Sequence, residues 1–490
     1  MYKILKLGSS RNLLTAMAAA VTCAGCVVGP DYRSPAAPEV ASFTRQPASE
    51  IGIGNAFIFE KQSVSPQWWT AYRSERINVL VSLALQRNPS IEAGLASLRS
   101  AQEIVNAQRG LFFPSIQAGY TASRQSIGNV VSTPLAAGDT LFTLHTAQLT
   151  VGFVPDVFGG NQRQVESLKA TANSQLYQLE ALKITLASNV VAAVIQEKQL
   201  MDQIDTAQLA LKVSAEQLQQ SKTLTASGYT SSLDTALQQA AFSQTQALLP
   251  PLQKQLEQTR NLLAVLCGQV PVWLALPDAA KDISVPTALP ILIPANLVER
   301  RPDVQAAQEL YHASFAQIGV ATANLLPQFN ISAVLGFNSN MLSGLLGNDN
   351  RSWSLLGGLT QPLFAGGALR ARKRGAEAVA EAAQAQYQTV VLTAFQNVAD
   401  TLYALEADNR SVIALRDVEA ANQTVFAQTS RQFILGYSSK VLVLAAQQAV
   451  LQAQLARIAA NATYLGDTVS LYQALGGGWQ KPDIKPANLR

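Results

Sequence analysis

The feature that most constrains this chain is that its sequence is written twice. Arg87-Asn88-Pro89 recurs as Arg300-Arg301-Pro302, 213 residues on, and the same offset carries Phe112-Phe113-Pro114 onto Leu325-Leu326-Pro327. Pro155 and Gly159-Gly160 return as Pro362 and Gly366-Gly367, 207 residues on. Gly228-Tyr229 returns as Gly436-Tyr437 at an offset of 208, which also takes Gly268 to Gly476. The order of landmarks is preserved and the offset drifts by only a few residues. A tandem duplication of a unit near two hundred residues long follows, far beyond the period of a solenoid repeat. The boundaries predicted are a signal segment over 1–25, an extended amino-terminal segment over 26–75, a first repeat over 76–268, a linker over 269–293, a second repeat over 294–478 and a tail over 479–490.

Each repeat reads as helix, strand pair, very long helix, turn, helix. After Pro114, Ile116, Ala118, Tyr120 and Ala122 alternate with Gln117, Gly119, Thr121 and Ser123. After Pro327, Phe329, Ile331, Ala333, Leu335 and Phe337 alternate with Asn330, Ser332, Gly336 and Asn338. A period of two marks strands with one apolar and one mostly polar face. Returning strands are expected around 140–153 and 352–362, after loops near 127–139 and 341–350. Strands of about ten residues suit a membrane crossing, but four cannot close a barrel. Open edges in lipid would leave backbone groups unsatisfied, so other copies must complete the sheet.

No proline interrupts Gly160 to about Ala226, or Gly367 to about Leu435. Val165, Leu168, Ala172, Leu176, Leu179, Leu182 and Leu186 recur at spacings of three and four, as do Val379, Ala383, Val390, Ala394, Val398, Leu402 and Leu405. A helix of 67 residues would run about 100 Å. Such a helix must pack laterally into a bundle or a tube.

Composition narrows the class. Only 14% of residues are charged, against roughly a quarter in ordinary soluble domains. A net charge of +4, scattered along the chain, gives no footprint for nucleic acid. His145 and His312 are the only histidines and lie far apart, which argues against a histidine-rich metal site. Cys23 and Cys26 lie in the targeting segment, leaving Cys267 with no obvious disulfide partner. Motifs of hydrolases, nucleotide-binding loops and zinc proteases are absent from the sequence, so an enzyme is not expected.

The first residues read as an address. Lys3, Lys6 and Arg11 precede a short apolar run from Leu13 to Val21, too short to span a bilayer. Ala24-Gly25-Cys26 resembles the lipobox of bacterial lipoproteins, in which the cysteine becomes the acylated first residue. Cys23 stands where that motif usually has leucine. An ordinary secretory signal with an incidental cysteine is the alternative. Two or more acyl chains at Cys26 would anchor the terminus stably.

Taken together, these residues resemble the TolC-like outer membrane factors, within them the NodT/OprM lipoprotein branch. Cys26-Val27-Val28-Gly29-Pro30-Asp31-Tyr32 is similar to that branch's mature start, and Leu475-Gly476-Gly477-Gly478-Trp479 to its carboxy-terminal signature. The resemblance implies a mainly α fold with transmembrane β structure: a homotrimeric barrel of twelve strands, four per chain, continued by a long α-helical barrel. It implies a periplasmic membrane-fusion adaptor and an inner-membrane RND-type pump as partners, contact with outer-membrane lipids, and no cofactor beyond the covalent lipid on Cys26. The function implied is export of small molecules or drugs through the outer membrane of a tripartite efflux system. A protein-secretion duct is the alternative, and a structural periplasmic coiled-coil lipoprotein a more distant one.

In this family the conduit closes at its periplasmic tip, where the helix hairpins turn. Gly228-Tyr229 and Gly436-Tyr437 take those turns by position. Asp234 matches the family's post-turn aspartate and is a candidate gate residue; a helix N-terminal cap is the equal alternative. The matching positions of the second repeat are Leu442 and Ala445, so the usual constriction carboxylates are missing. Phe433 stands where TolC has a gate-supporting tyrosine. Lys440, one turn away, either contributes positive charge there or is a solvated lysine. Arg370, Arg372, Lys373 and Arg374 follow the last strand, where they contact lipid phosphates or simply begin a solvated helix.

Overall fold

A computed structural model of the chain describes residues 27–36, 42–45, 58–60, 64–126, 141–273, 283–286, 288–290 and 300–479. The targeting segment with Cys26, the loop 127–139, most of the linker and residues 480–490 lie outside the described residues. In chain order the elements are β1 (Ile58–Glu60), α1 (Glu75–Arg87), α2 (Pro89–Gly110), β2 (Ser115–Ser126), β3 (Leu141–Phe153), α3 (Gly160–Ala226), α4 (Ser232–Gln246), α5 (Leu249–Leu266), β4 (Ala288–Pro290), α6 (Pro302–Ala323), β5 (Gln328–Ser339), β6 (Arg351–Thr360), α7 (Ala368–Ile434) and α8 (Lys440–Ala474). β1 and β4 form a short parallel pair. The two long helices, α3 and α7, contain 67 residues each.

Two compact units emerge, each drawing segments from both repeats. One comprises residues 1–35, 98–175 and 307–387, the other 36–97, 176–306 and 388–490. The first unit holds an antiparallel sheet of order β2-β3-β5-β6. The β3–β5 pairing joins the repeats and sets Val151 opposite Ala333 and Phe153 opposite Ile331. All helix connections leave one end of this sheet and both loops leave the other. Between the loop-end strands, residues 341–350 fold into two short 3-10 turns, Leu342–Gly344 and Asn348–Asn350.

In the second unit the duplication becomes physical. Asn88 donates its side-chain amide to the Leu266 carbonyl at the end of α5, at 2.9 Å. Arg301 donates to the Ala474 carbonyl at the end of α8, also at 2.9 Å. Each thereby satisfies a carbonyl that a helix end leaves without a partner. Gly268 and Gly476 follow those ends with φ of +70° and +86°. A methyl group on either would run into the carbonyl of Arg87 or of Arg300. Glycine is required there both by the left-handed backbone and by the closeness of the neighbouring chain.

The repeats also diverge. α8 is unbroken for 35 residues, whereas its counterpart is split into α4 and α5 at Ala247-Leu248. Pro250 and Pro251 cannot donate to the carbonyls of Gln246 and Ala247, which breaks the hydrogen-bond ladder. Glu197 on α3 pairs with Arg76 of α1 at 2.6 Å, both side chains being 3% exposed, and with Arg260 of α5 at 3.2 Å. The positions equivalent to Glu197 and Arg260 are Leu405 and Thr468, and Thr468 instead shares a 2.7 Å hydrogen bond with Tyr72. Trp68 stacks on Tyr472 beside this contact, with ring centres 5.1 Å apart.

Both α3 and α8 contain an 18-residue stretch apolar enough to cross a membrane. In α3 half of that stretch is buried within the chain; elsewhere on the helix, Leu200 and Ile204 pack with Leu256 of α5.

Candidate functional site

Three regions carry functional chemistry: the sheet, the strap that follows the targeting segment, and the two hairpin tips.

Unbroken register divides the sheet into two faces. One carries Ile116, Ala118, Tyr120, Leu149, Val151, Phe153, Ile331, Leu335, Trp353, Leu355 and Leu359. The other carries Gln117, Thr121, Thr146, Gln148, Thr150, Asn330, Ser332, Asn338, Ser352 and Ser354. Side chains on the polar face bond to one another across strands: Thr146 donates to Asn338 at 3.0 Å, and Asn338 to Ser352 at 3.2 Å. β2 and β6 are the edges and have no strand partner on their outer sides among the described residues. An exposed apolar face with two unpaired edges needs lipid on the face and further strands at the edges.

The strap, residues 27–35, is pinned to the first unit. Val28 donates its backbone N–H to the Phe158 carbonyl at 3.1 Å. Arg163 on α3 bonds the Val28 carbonyl at 3.2 Å and the Asp31 carboxylate at 2.7 Å. Tyr32 stacks on His312 of α6, with ring centres 4.2 Å apart. His312 lies 3.0 Å from Glu166 and 3.7 Å from Glu309. Burial opposes a charged His312, but the hydrogen bonds to Glu166 and Glu309 outweigh it and push its pKa up to about 9. The Glu166 carboxyl is correspondingly lowered, chiefly by His312. The i,i+3 spacing of Glu309 and His312 on α6 is a local signal for their contact, whereas Glu166 and Tyr32 come from distant segments and leave no such signal.

At the tips, local sequence builds the same backbone twice. Gly228 and Gly436 adopt φ of +77° and +80°. Gly228 donates to Thr225 and Tyr229 to Leu224; Gly436 donates to Phe433 and Tyr437 to Gln432, at 2.8–3.0 Å. This is the Schellman arrangement, in which a left-handed residue lets its own amide and the next one close the helix end. Phe433 supplies one of those carbonyls, and its ring is exposed. Tyr229 and Tyr437 point outward, 81% and 84% exposed.

The side chains then differ. Ser231 accepts from the Asp234 amide at 3.2 Å, and Asp234 accepts from the Ser231 amide at 3.0 Å and hydroxyl at 2.9 Å. That is a reciprocal capping box. Thr225 links to Thr230 and Thr235 through hydroxyls at 3.0 and 2.7 Å. In the second tip Ser439 caps the Leu442 amide at 3.3 Å, and Leu442 has no side-chain oxygen to answer it. Lys440 begins α8 and lies 4.0 Å from Glu216 of α3, each roughly half exposed. Glu216, Ser231 and Ser439 were not singled out from sequence; the Ser-x-x-Asp spacing at 231–234 was the available signal.

A sheet with one apolar face, one polar face and open edges, in a chain that also has two unbroken 67-residue helices, fits a subunit of an outer-membrane channel. A profile of the outer membrane efflux protein family matches residues 80–269 and 293–477, and the chain belongs to that family. It is an outer-membrane efflux channel, a transport protein and not an enzyme. The chain is 28% identical over 419 residues to the pyoverdine export outer membrane protein OpmQ of Pseudomonas putida, covering 84% of this chain and 88% of that protein. It is 27% identical over 475 residues to the probable efflux pump outer membrane protein TtgC of Pseudomonas putida, covering 96% of each. Among solved structures, the outer-membrane channel OprN superposes with a TM-score of 0.83 at 28% identity, over 93% of this chain and all of that one.

Proposed function

We propose that the chain forms a homotrimer whose four-stranded sheets close a twelve-stranded barrel, and that it exports small molecules as the exit channel of a tripartite pump. The observation that carries this reading is the sheet with one apolar face and two open edges. Lipid satisfies the face, and only further strands satisfy the edges. A periplasmic adaptor and an RND-type inner-membrane pump are the partners, in keeping with the efflux-pump relatives. The division into signal segment, lipidated strap, two repeats, linker and tail stands as part of this proposal.

Cys26 is the lipid attachment point in this reading. Support comes from the strap: Val27, its immediate neighbour, sits against Gly159, between the end of β3 and the start of α3. Val27 thus lies at the helix end of the sheet, beside the bilayer the sheet crosses in this reading. Heat-resistant trimers recovered from outer membranes, labelled by palmitate in wild type and unlabelled in Cys26→Ser, are the expected result. A soluble monomer would sink the channel reading.

The hairpin tips form the gate, with Asp234, Gly228, Tyr229, Gly436, Tyr437, Lys440 and Phe433 as its residues. Asp234 acts by holding its own tip rigid, since its contacts are within the capping box. Asp234→Ala is expected to raise single-channel conductance in planar bilayers. Unchanged conductance would remove Asp234 from the gate and leave it a helix cap.

A further inference from the structure

The four strands contain two formally charged residues, Arg124 and Arg351, and no Asp, Glu or Lys. Arg124 lies opposite Thr143, while Ala122 lies opposite His145 and Phe337 opposite Arg351. Following the register across the sheet, Arg124, His145 and Arg351 all fall on the apolar face. All three also fall in the half of the sheet nearer the loops. Arg124 is near the end of β2 and Arg351 begins β6. At the helix end the same face offers Ile116, Val151, Phe153, Ile331 and Leu359, and no charge.

Aromatic groups accompany the cations. The Tyr120 hydroxyl lies 2.7 Å from His145 Nδ1, and Trp353 stands two residues below Arg351 on the same face. Both arginines are exposed, and among the described residues neither has an ion-pair partner. From Ile116 to Arg124 the apolar stretch runs about 26 Å along the strand, which at the tilt of such barrels rises about 20 Å, most of the height of their apolar band. A cation at the top of that band can place its stem on lipid and its head in the phosphate layer.

We propose that Arg124 and Arg351, with His145 and Trp353 beside them, form a docking surface for phosphate-bearing lipid headgroups of the leaflet at the loop end of the barrel. This rests on the outer-membrane channel reading, in which that leaflet is the outer one and its phosphorylated glycolipid is the occupant. A guanidinium binds a phosphate through two parallel hydrogen bonds, which an ammonium cannot do. The two arginines lie on the two edge strands, so closure by copies brings them toward neighbouring protomers. Like charges so placed call for an anion between them.

The test uses the full-length protein extracted from outer membranes into a neutral detergent. Thermal dissociation of the oligomer is followed as phosphorylated lipid A, its dephosphorylated form, or a zwitterionic phospholipid is added. Phosphorylated lipid A alone is expected to raise the wild-type transition. R124Q/R351Q is expected to keep the lipid-free transition, to lose most of the shift and to bind the phosphorylated lipid about thirtyfold more weakly. R124K/R351K is expected to fall between, and Arg431→Gln, in the last turn of α7, to behave as wild type. An undiminished shift in R124Q/R351Q, or an equal response to the dephosphorylated lipid, would overturn the proposal. Dissociation of R124Q/R351Q before lipid is added would also overturn it, assigning the arginines to contact between copies. Recovery of wild type outside the outer membrane would defeat the channel reading itself, and this proposal with it.

Discussion

The two hairpin tips share a backbone turn, an outward tyrosine and a serine cap, and differ in the side chains around them. Gly228 and Gly436 close α3 and α7 through the same pair of amide hydrogen bonds. Yet Ala226, Ser227 and Asp234 of the first tip stand where the second has Ile434, Leu435 and Leu442, all three large and exposed. The first tip satisfies its polar groups internally, through the Ser231–Asp234 box and the Thr225 hydroxyl contacts. The second carries one cap and a cluster of apolar side chains in need of cover. Duplication has thus retained the device that reverses the chain, which depends on φ, and released the side chains that decide how rigid the reversal is.

The largest effect expected sets the tips against the junction. Gly268→Ala and Gly476→Ala meet the carbonyls of Arg87 and Arg300 as well as a strained φ, and should abolish the heat-resistant oligomer. Gly228→Ala and Gly436→Ala meet no neighbouring atom within 4 Å, so each should cost only the left-handed penalty of about 1–2 kcal/mol. Unequal losses at the two tips, measured by thermal unfolding, would break the claim of a shared backbone.

Next come the caps. Ser231→Ala should cost about 1 kcal/mol, and Ser439→Ala less, because its box is half made. Leu442→Asp should recover roughly 0.5–1 kcal/mol by completing that box. Amide exchange at residues 232–235 and 440–443 reads both changes locally.

A pH-dependent contrast separates the hairpins higher up. Burial, and then the neighbouring Asp408, push Asp467 of α8 up to about 6. The equivalent positions in the first repeat are Leu200 and Thr259, which cannot titrate. A raised carboxyl stabilises the fold fully below its unfolded pKa and loses that contribution as pH rises through about 6. Asp467→Asn should therefore raise the melting temperature at pH 7.5 and leave it unchanged near pH 4. An equal gain at both would exclude the carboxyl pair as the cause.

The smallest change expected is Lys440→Gln. An ion pair at 4.0 Å with both partners half exposed contributes at most about 0.5 kcal/mol. A loss beyond 1 kcal/mol in thermal unfolding would make Lys440–Glu216 a true lock between the hairpins.

Much of the fold was legible because its signals are local. Alternation at Ile116–Ala122 and Phe329–Phe337 predicted strands, and the proline-free runs predicted both long helices to within a residue at each end. The break before Pro250-Pro251 is equally local, and it replaces the single returning helix expected there with two. At the tips the glycines were legible by position, whereas the Lys440–Glu216 approach joins residues from different repeats and left no pattern to find. The clasp of Tyr32 on His312 was hidden because it joins the amino-terminal strap to a helix 280 residues further on.

Residue order by itself determined the duplication, the two strand pairs, the 67-residue helices and the left-handed turns that end them. The duplication is read from residue order alone, and the others depend on neighbours within a turn or a pleat. Only the tertiary structure decided that Arg124, His145 and Arg351 share one end of one face, that the strap lies against His312, and that Asp408 meets Asp467. Such meetings require strands or helices distant in sequence to pair in one register. A slip of a single residue in that register would turn every strand side chain to the opposite face.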